Sequence, residues 1–307
     1  MQQLAERLGQ EMRDSLRAYF LLPGMQEMAQ ACLEEKLQES LLFSKMTVLH
    51  YRMFAGEDER IYRAAAAVEL MVLSLDMIDD VQDKDNKLVV WNSYPPEITL
   101  NLALGILMIA QQMMLDTGFG QERVQQAAKL LSGQVLTAVH GQTLDLLNDI
   151  PDEAAYLDMV GQKSAALLVC ACMIGTVLAT GEWQERVRSY AEQLGIAAQI
   201  KNDIRDLSNW DHKNDFINRK RTLPTLYLLQ AAAENSGDSW VVEYFEGKLS
   251  MDDVQHKREE FQAILEKTGT LLYSSVRMRT HYYQFLDFLD EMNVGEGWKE
   301  EMLALAD

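Results

Sequence analysis

The chain has 307 residues, of which 48% are hydrophobic and 24% charged, with five prolines and a formal net charge of −19. That length and apolar fraction allow a sizeable core and exclude a disordered chain, and scarce proline beside plentiful Leu, Ala, Met, Gln and Glu favours long helices over sheets. So acidic a chain repels nucleic acid and anionic lipid, which excludes both as general partners.

The N-terminal stretch MQQLAERLGQEMRD has no apolar signal core. From there helical periodicity runs almost throughout. It breaks near Leu22-Pro23-Gly24, Gly56, Tyr94-Pro95-Pro96, Gly118–Gly120, Ile150-Pro151, Gly181, Leu207–Phe216, Ser236-Gly237 and Thr268–Thr270. Short connections of this kind predict antiparallel helical neighbours and an all-α fold, a single helical domain over residues 1–307. Residues 98–115 and 164–181 are apolar enough to suggest membrane spans, but their small and amide side chains read better as buried core helices. Cys32, Cys170 and Cys172 have neither zinc spacing nor a disulfide framework and read as core residues in a reducing cytoplasm.

The first chemical cluster is Asp79-Asp80-Val81-Gln82-Asp83, closing a helix that contains AAAAVELMVLSLDMI. Asp79 and Asp83 are four apart and share a face, with Asp80 beside them. Like charges at that spacing repel, and at a C-terminal helix end they also oppose the macrodipole. Mg²⁺ held by carboxylates and substrate phosphates removes that cost. The second cluster, Asn202-Asp203-Ile204-Arg205-Asp206, follows the apolar helix LGIAAQI, with Gln199 one turn before Asp203. Facing each other, two such ends would clamp a metal–diphosphate cluster over an apolar tunnel for a hydrocarbon tail.

Five segments in order resemble the trans-isoprenyl diphosphate synthase superfamily over roughly residues 40–230: VELMVLSLDMIDDVQD, GQTLDL with Gln142 and Asp145, KSAALL with Lys163, QIKNDIRDL, and DFINRKRTLP with Lys220. The resemblance implies a helical bundle around a central apolar cavity. It also implies an enzyme that ionises an allylic diphosphate with two or three Mg²⁺ ions. On it, Asp79 and Asp83 are metal ligands, and Asn202 stands in the place of the family's leading second-motif aspartate. Asp203 and Asp206 support that ion. Lys163 and Lys220 neutralise the diphosphate, with Lys213 assisting from its loop; Gln142, Asp145 and Gln199 belong to the substrate side. The chemistry is one of charge: a diphosphate leaves readily when cations meet its developing charge in a water-poor site.

The departures from the family pattern narrow the function. A second, isopentenyl diphosphate site uses a Gly-Lys-Arg-x-Arg segment, a polar residue seven before the first aspartate and an Arg-Arg pair. Here those positions read Ser44-Lys45-Met46-Thr47-Val48, Val72 and Leu88-Val89, so only Lys45 remains. A charged hydrogen bond is worth about 1.5–3 kcal/mol, so losing three costs roughly 4–9 kcal/mol, or on the order of 10³ to 10⁶ in affinity. This pattern resembles the ComQ-type isoprenyltransferases, which attach a prenyl group to a tryptophan of a small pheromone precursor peptide in quorum sensing and competence. The partners implied are an allylic prenyl diphosphate and that peptide, and a homodimer is considered. Two alternatives stand beside it: a chain-elongating prenyl diphosphate synthase, with terpene cyclase as a variant that would want Ser or Thr at Asp206 and Glu at Trp210, and a non-catalytic subunit of a heteromeric synthase. Ser74 and Leu75 face the tail in the family, and neither is an aromatic plug, so a geranyl or farnesyl tail passes. The C-terminal third reads as helical scaffold.

Overall fold

The computed structural model describes residues 2–83, 88–210, 214–292 and 294–306. Among them are fifteen α-helices and no strand, in agreement with the all-α expectation. In chain order these are α1 (Gln2–Tyr19), α2 (Pro23–Lys36), α3 (Leu42–Met53), α4 (Ile61–Asp83), α5 (Pro96–Leu115), α6 (Gln121–Leu147), α7 (Glu153–Val160) and α8 (Ala166–Thr180). They continue with α9 (Glu185–Ser208), α10 (Leu223–Ala233), α11 (Ser239–Phe245), α12 (Met251–Val254), α13 (Arg258–Thr268), α14 (Thr270–Asp290) and α15 (Glu296–Ala306). The breaks follow local chemistry. Proline occupies the first turns of α2, α5 and α10, where its missing N–H costs nothing. Asp152 caps α7 by accepting from the Ala155 N–H at 2.9 Å.

The described residues group into two compact units, the first drawn from 1–138, 166–192 and 287–307, the second from 139–165 and 193–286. Every crossing from one to the other falls inside a helical stretch, so no linker separates them.

In the first unit α4 is the central element. Every residue from Ala64 to Ser74 is buried, the mark of a helix enclosed on all sides. It packs against α5, α3, α1 and α8. Gly175 lets α8 approach α3 closely: a Cβ there would meet the Thr47 carbonyl and lie 2.9 Å from the Tyr51 nitrogen. Cys32, Cys170 and Cys172 are free and buried, and burial raises their thiol pKa values.

The second unit has two apolar clusters. Ile150, Tyr156, Met159, Val160, Ala165, Ile196, Ile200 and Leu223 form one. The other centres on Phe216, whose ring lies 4.7 Å from Phe261, 5.0 Å from Tyr244 and 5.9 Å from Trp240. The C-terminal third is thus a scaffold with a specific task, since its aromatic rings anchor the DFINRKRTLP segment at Phe216.

Two stretches are long and apolar enough to cross a membrane by length and composition, Pro96–Leu115 and Glu153–Thr180. The apolar window of the second is 72% buried, as in a core helix, and that of the first 44%.

Candidate active site

The acidic end of α4 belongs to the first unit. The helix continues to Asp83, so Asp79 and Asp83 do share a helical face, and both are half-buried with Asp80. Asp80 Oδ2 accepts from the Trp91 indole N–H at 2.8 Å. One turn back, the buried Lys36 ammonium of α2 lies 2.9 Å from Asp76, 2.6 Å from Glu39 and 4.0 Å from Glu69. Burial lowers the pKa of Lys36, but the attraction of Asp76, Glu69 and Glu39 outweighs it, and the net shift is upward. Glu69, 1% exposed, receives the Ser44 N–H at 2.7 Å and the Ser44 hydroxyl, and burial raises its pKa against the pull of Lys36. Because the α3 N-cap, Leu41, makes no side-chain cap, Glu69 closes the first turn of α3 from across the core.

That arrangement explains two sequence departures. Ser44 is committed to Glu69. Val72 is 2% exposed in the α4 core, where apolar packing is what the position requires. Leu88 is different: at 89% exposure it presents an apolar side chain to solvent. Lys45 is half-buried on α3. Ser74 is fully buried, and its hydroxyl donates to the Ala103 carbonyl at 2.8 Å across the α4–α5 seam.

The second unit holds the other group. Asp203, on α9, is 4% exposed; its Oδ2 accepts from the Tyr156 hydroxyl and its Oδ1 from Gln199 Nε2 at 2.7 Å. Gln199 Oε1 accepts in turn from Ser164 at 2.8 Å, which fixes the amide. Burial pushes Asp203 up to about 6, opposed by those two hydrogen bonds and reinforced by Asp145 and Asp206. Lys163 sits in a π-helical turn, Gly161–Ala165, and its ammonium lies 2.5 Å from Asp145. Gly141 makes this possible, since a Cβ there would collide with the Lys163 backbone. Gln142 is half-buried one turn before Asp145 on α6. Asn202 is exposed, and Asp206 is half-buried beside Arg205 at 3.1 Å. Asp215 is 6% exposed, accepts from Thr222 at 3.1 Å, and is raised by burial and by Asp203 while Lys220 pulls it down. Lys213 and His212 lie outside the described residues.

The structure therefore gathers Asp145, Lys163, Gln199, Asp203, Asp206 and Lys220 into one electrostatic neighbourhood within the second unit. Sequence reasoning missed Tyr156, Ser164 and Asp215 there, and Lys36, Glu69 and Trp91 in the first unit. Asp215 carried a signal, an acid five residues before Lys220 in a recognised segment. Trp91 and Tyr156 carried none, because a hydrogen bond formed across helices leaves no spacing.

The donor set suits Mg²⁺. Among the described residues no three Asp, Glu, His or Cys side chains surround one point. Mg²⁺ is commonly held by one or two carboxylates with substrate phosphates and water, which the Asp79/Asp83 pair can offer. Burial disfavours the ionised forms of Asp203 and Asp215, and a nearby cation would favour them.

The polyprenyl synthetase family profile matches residues 41–256, more than half of the chain. The tryptophan prenyltransferase ComQ of Bacillus subtilis (strain 168) is 29% identical over 268 residues, covering 86% of each chain. A crystal structure of geranylgeranyl pyrophosphate synthase superposes with a TM-score of 0.86 at 19% identity, covering 99% of this chain and 98% of the other. The polyprenyl synthase of Caulobacter crescentus CB15, complexed with calcium and isoprenyl diphosphate, gives 0.82 at 20% identity over 97% and 92%. The chain belongs to the polyprenyl synthetase family and is an isoprenyltransferase.

Proposed function

We propose that this isoprenyltransferase ionises an allylic diphosphate, geranyl or farnesyl, and transfers the prenyl group to a tryptophan of a small pheromone precursor peptide in the cytoplasm, in a quorum-sensing or competence system. The observation that carries the reading is the contrast between two sets of residues. The donor-side acids and lysines are present: Asp79, Asp83, Asp203, Asp206, Lys163 and Lys220. Of the groups that would hold a second diphosphate only Lys45 remains: Ser44 is tied to Glu69, Val72 is core, and Leu88 faces solvent. The similarity to ComQ, a tryptophan prenyltransferase, supports a tryptophan acceptor.

Mg²⁺, two or three ions, would supply the positive charge that meets the leaving diphosphate. Asp79 and Asp83 would hold such ions in the first unit, and Asn202, Asp203 and Asp206 would do so in the second. Tyr156 and Gln199 keep Asp203 oriented, and Lys163 and Lys220 bind diphosphate oxygens, Lys163 exchanging part of its contact with Asp145. The C–O bond breaks with its electron pair on the diphosphate oxygen. The π pair at indole C3 then forms the new C–C bond, and the positive charge left on the indole nitrogen is discharged as its N–H proton passes to the departed diphosphate. Ser74 stands on the tail side of α4.

Incubation with Mg²⁺, geranyl or farnesyl diphosphate and a tryptophan-bearing precursor peptide is expected to add one prenyl mass to the peptide. No adduct with either donor overturns the reading. Elongation of a labelled donor by isopentenyl diphosphate supports the synthase alternative instead.

A homodimer completes the proposal. Between Ile98 and Leu115 α5 carries no charge, and Leu100, Leu104, Met108 and Leu115 are 40%, 56%, 52% and 43% exposed. In a chain of net charge −19 this is a face that two copies can bury without placing like charges in direct contact. Sedimentation equilibrium is expected to show a dimer that Leu104→Glu with Met108→Glu dissociates; a monomeric wild type overturns it.

A further inference from the structure

Trp91 lies in a 3-10 turn, Val90–Ser93, that packs on α2, α4 and α5. Its side chain is 3% exposed, and its indole N–H is directed at Asp80 Oδ2, 2.8 Å away. Its carbonyl accepts from the fully buried Thr99 hydroxyl, at 2.7 Å, in the first turn of α5. Trp91 therefore ties the end of α4 to the start of α5. The end it ties is electrostatically unfavourable. Asp79, Asp80 and Asp83 crowd a helix C-terminus, where the macrodipole is negative. An indole is a donor only, so it stabilises an ionised Asp80 without competing for a cation.

We propose that Trp91 is a positioning residue for the acidic end of α4, acting through Asp80 to hold Asp79 and Asp83 ready for a metal-bound diphosphate. The proposal rests on the functional reading above for the identity of that ligand. Trp91→Phe keeps the ring and removes the N–H. Two measurements separate the proposal from that reading. In the unliganded protein, amide hydrogen exchange over residues 79–83 is expected to quicken in Trp91→Phe; unchanged exchange overturns the tie. In calorimetric titration with inorganic pyrophosphate and Mg²⁺, Trp91→Phe is expected to bind about 10-fold more weakly, the scale of an outer-shell loss at a metal site.

Asp80→Ala should bind as weakly, and adding Trp91→Phe to it should change nothing further. Additive losses would mean that Trp91 acts through packing alone and would overturn the proposal. A wild-type protein that binds no Mg²⁺–pyrophosphate would remove the functional reading and leave the exchange result to decide the tie. Should Trp91→Phe not fold, the ¹⁵N-indole resonance of Trp91 in the wild type is expected to move in Asp80→Ala, and a resonance that stays put overturns the contact.

Discussion

Asp79→Ala is expected to reduce prenyl transfer by about two to three orders of magnitude, the scale of losing one preorganised charge-stabilising group, while leaving the unliganded protein at least as stable. The two effects have one cause. Asp79 and Asp83 stand four apart on the last turns of α4, where like charges repel and the helix dipole is unfavourable. Removing one acid relieves a few tenths of a kcal/mol of that repulsion. On the proposed function it also removes a metal ligand. Steady-state assay of peptide prenylation with saturating donor, alongside a urea melt, checks both halves. A variant that retains near-normal turnover at all Mg²⁺ concentrations would show Asp79 to be a solvated helix end. That result, joined by the same outcome for Asp203→Ala, would favour the non-catalytic subunit.

The second large effect concerns stability. Lys36→Ala is expected to cost about 3–5 kcal/mol, the penalty for removing one partner of a buried ionic group. Lys36 is 4% exposed and Glu69 1%, so the orphaned carboxylate cannot turn to water. Urea denaturation should show the loss as a lower midpoint at unchanged slope. Lys36→Met combined with Glu69→Gln should recover most of it. The pH dependence has a definite sign. Without Lys36 the folded-state pKa of Glu69 rises further above its unfolded value, so the folded state takes up a proton more readily than the unfolded chain. The deficit therefore shrinks as pH falls and grows as pH rises. A loss below about 1 kcal/mol, the range of an exposed pair, would contradict the buried-cluster description. Because Glu69 also closes the first turn of α3, Lys36→Ala should loosen Ser44 and Lys45 as well.

Helix content, the family and its acidic motifs were readable in the chain because they depend on local quantities. A fourfold spacing puts Asp79 and Asp83 on one face whatever surrounds them, and few prolines and short breaks predict helices without reference to packing. The order of VELMVLSLDMIDDVQD, GQTLDL, KSAALL, QIKNDIRDL and DFINRKRTLP identified the family, which the profile match bears out. Val72 shows the limit of such reading. As a motif position it read as a polar group lost from the second diphosphate site; in the folded chain it is a core residue. Leu88, equally apolar, is exposed. The two substitutions look alike in sequence, and only burial separates them.

By itself the sequence determined which residues could share a helical face, how much apolar surface the chain had to hide, and which charges stood close along the backbone. Tertiary structure alone decided which of those charges acquired partners: Lys36 from α2 against Glu69 and Asp76 of α4, Trp91 against Asp80, Tyr156 against Asp203, Lys163 against Asp145. Helical periodicity constrains residues three and four apart. A pairing between helices depends on where whole elements dock, which is set by the summed packing of many side chains and leaves no fixed interval in the chain.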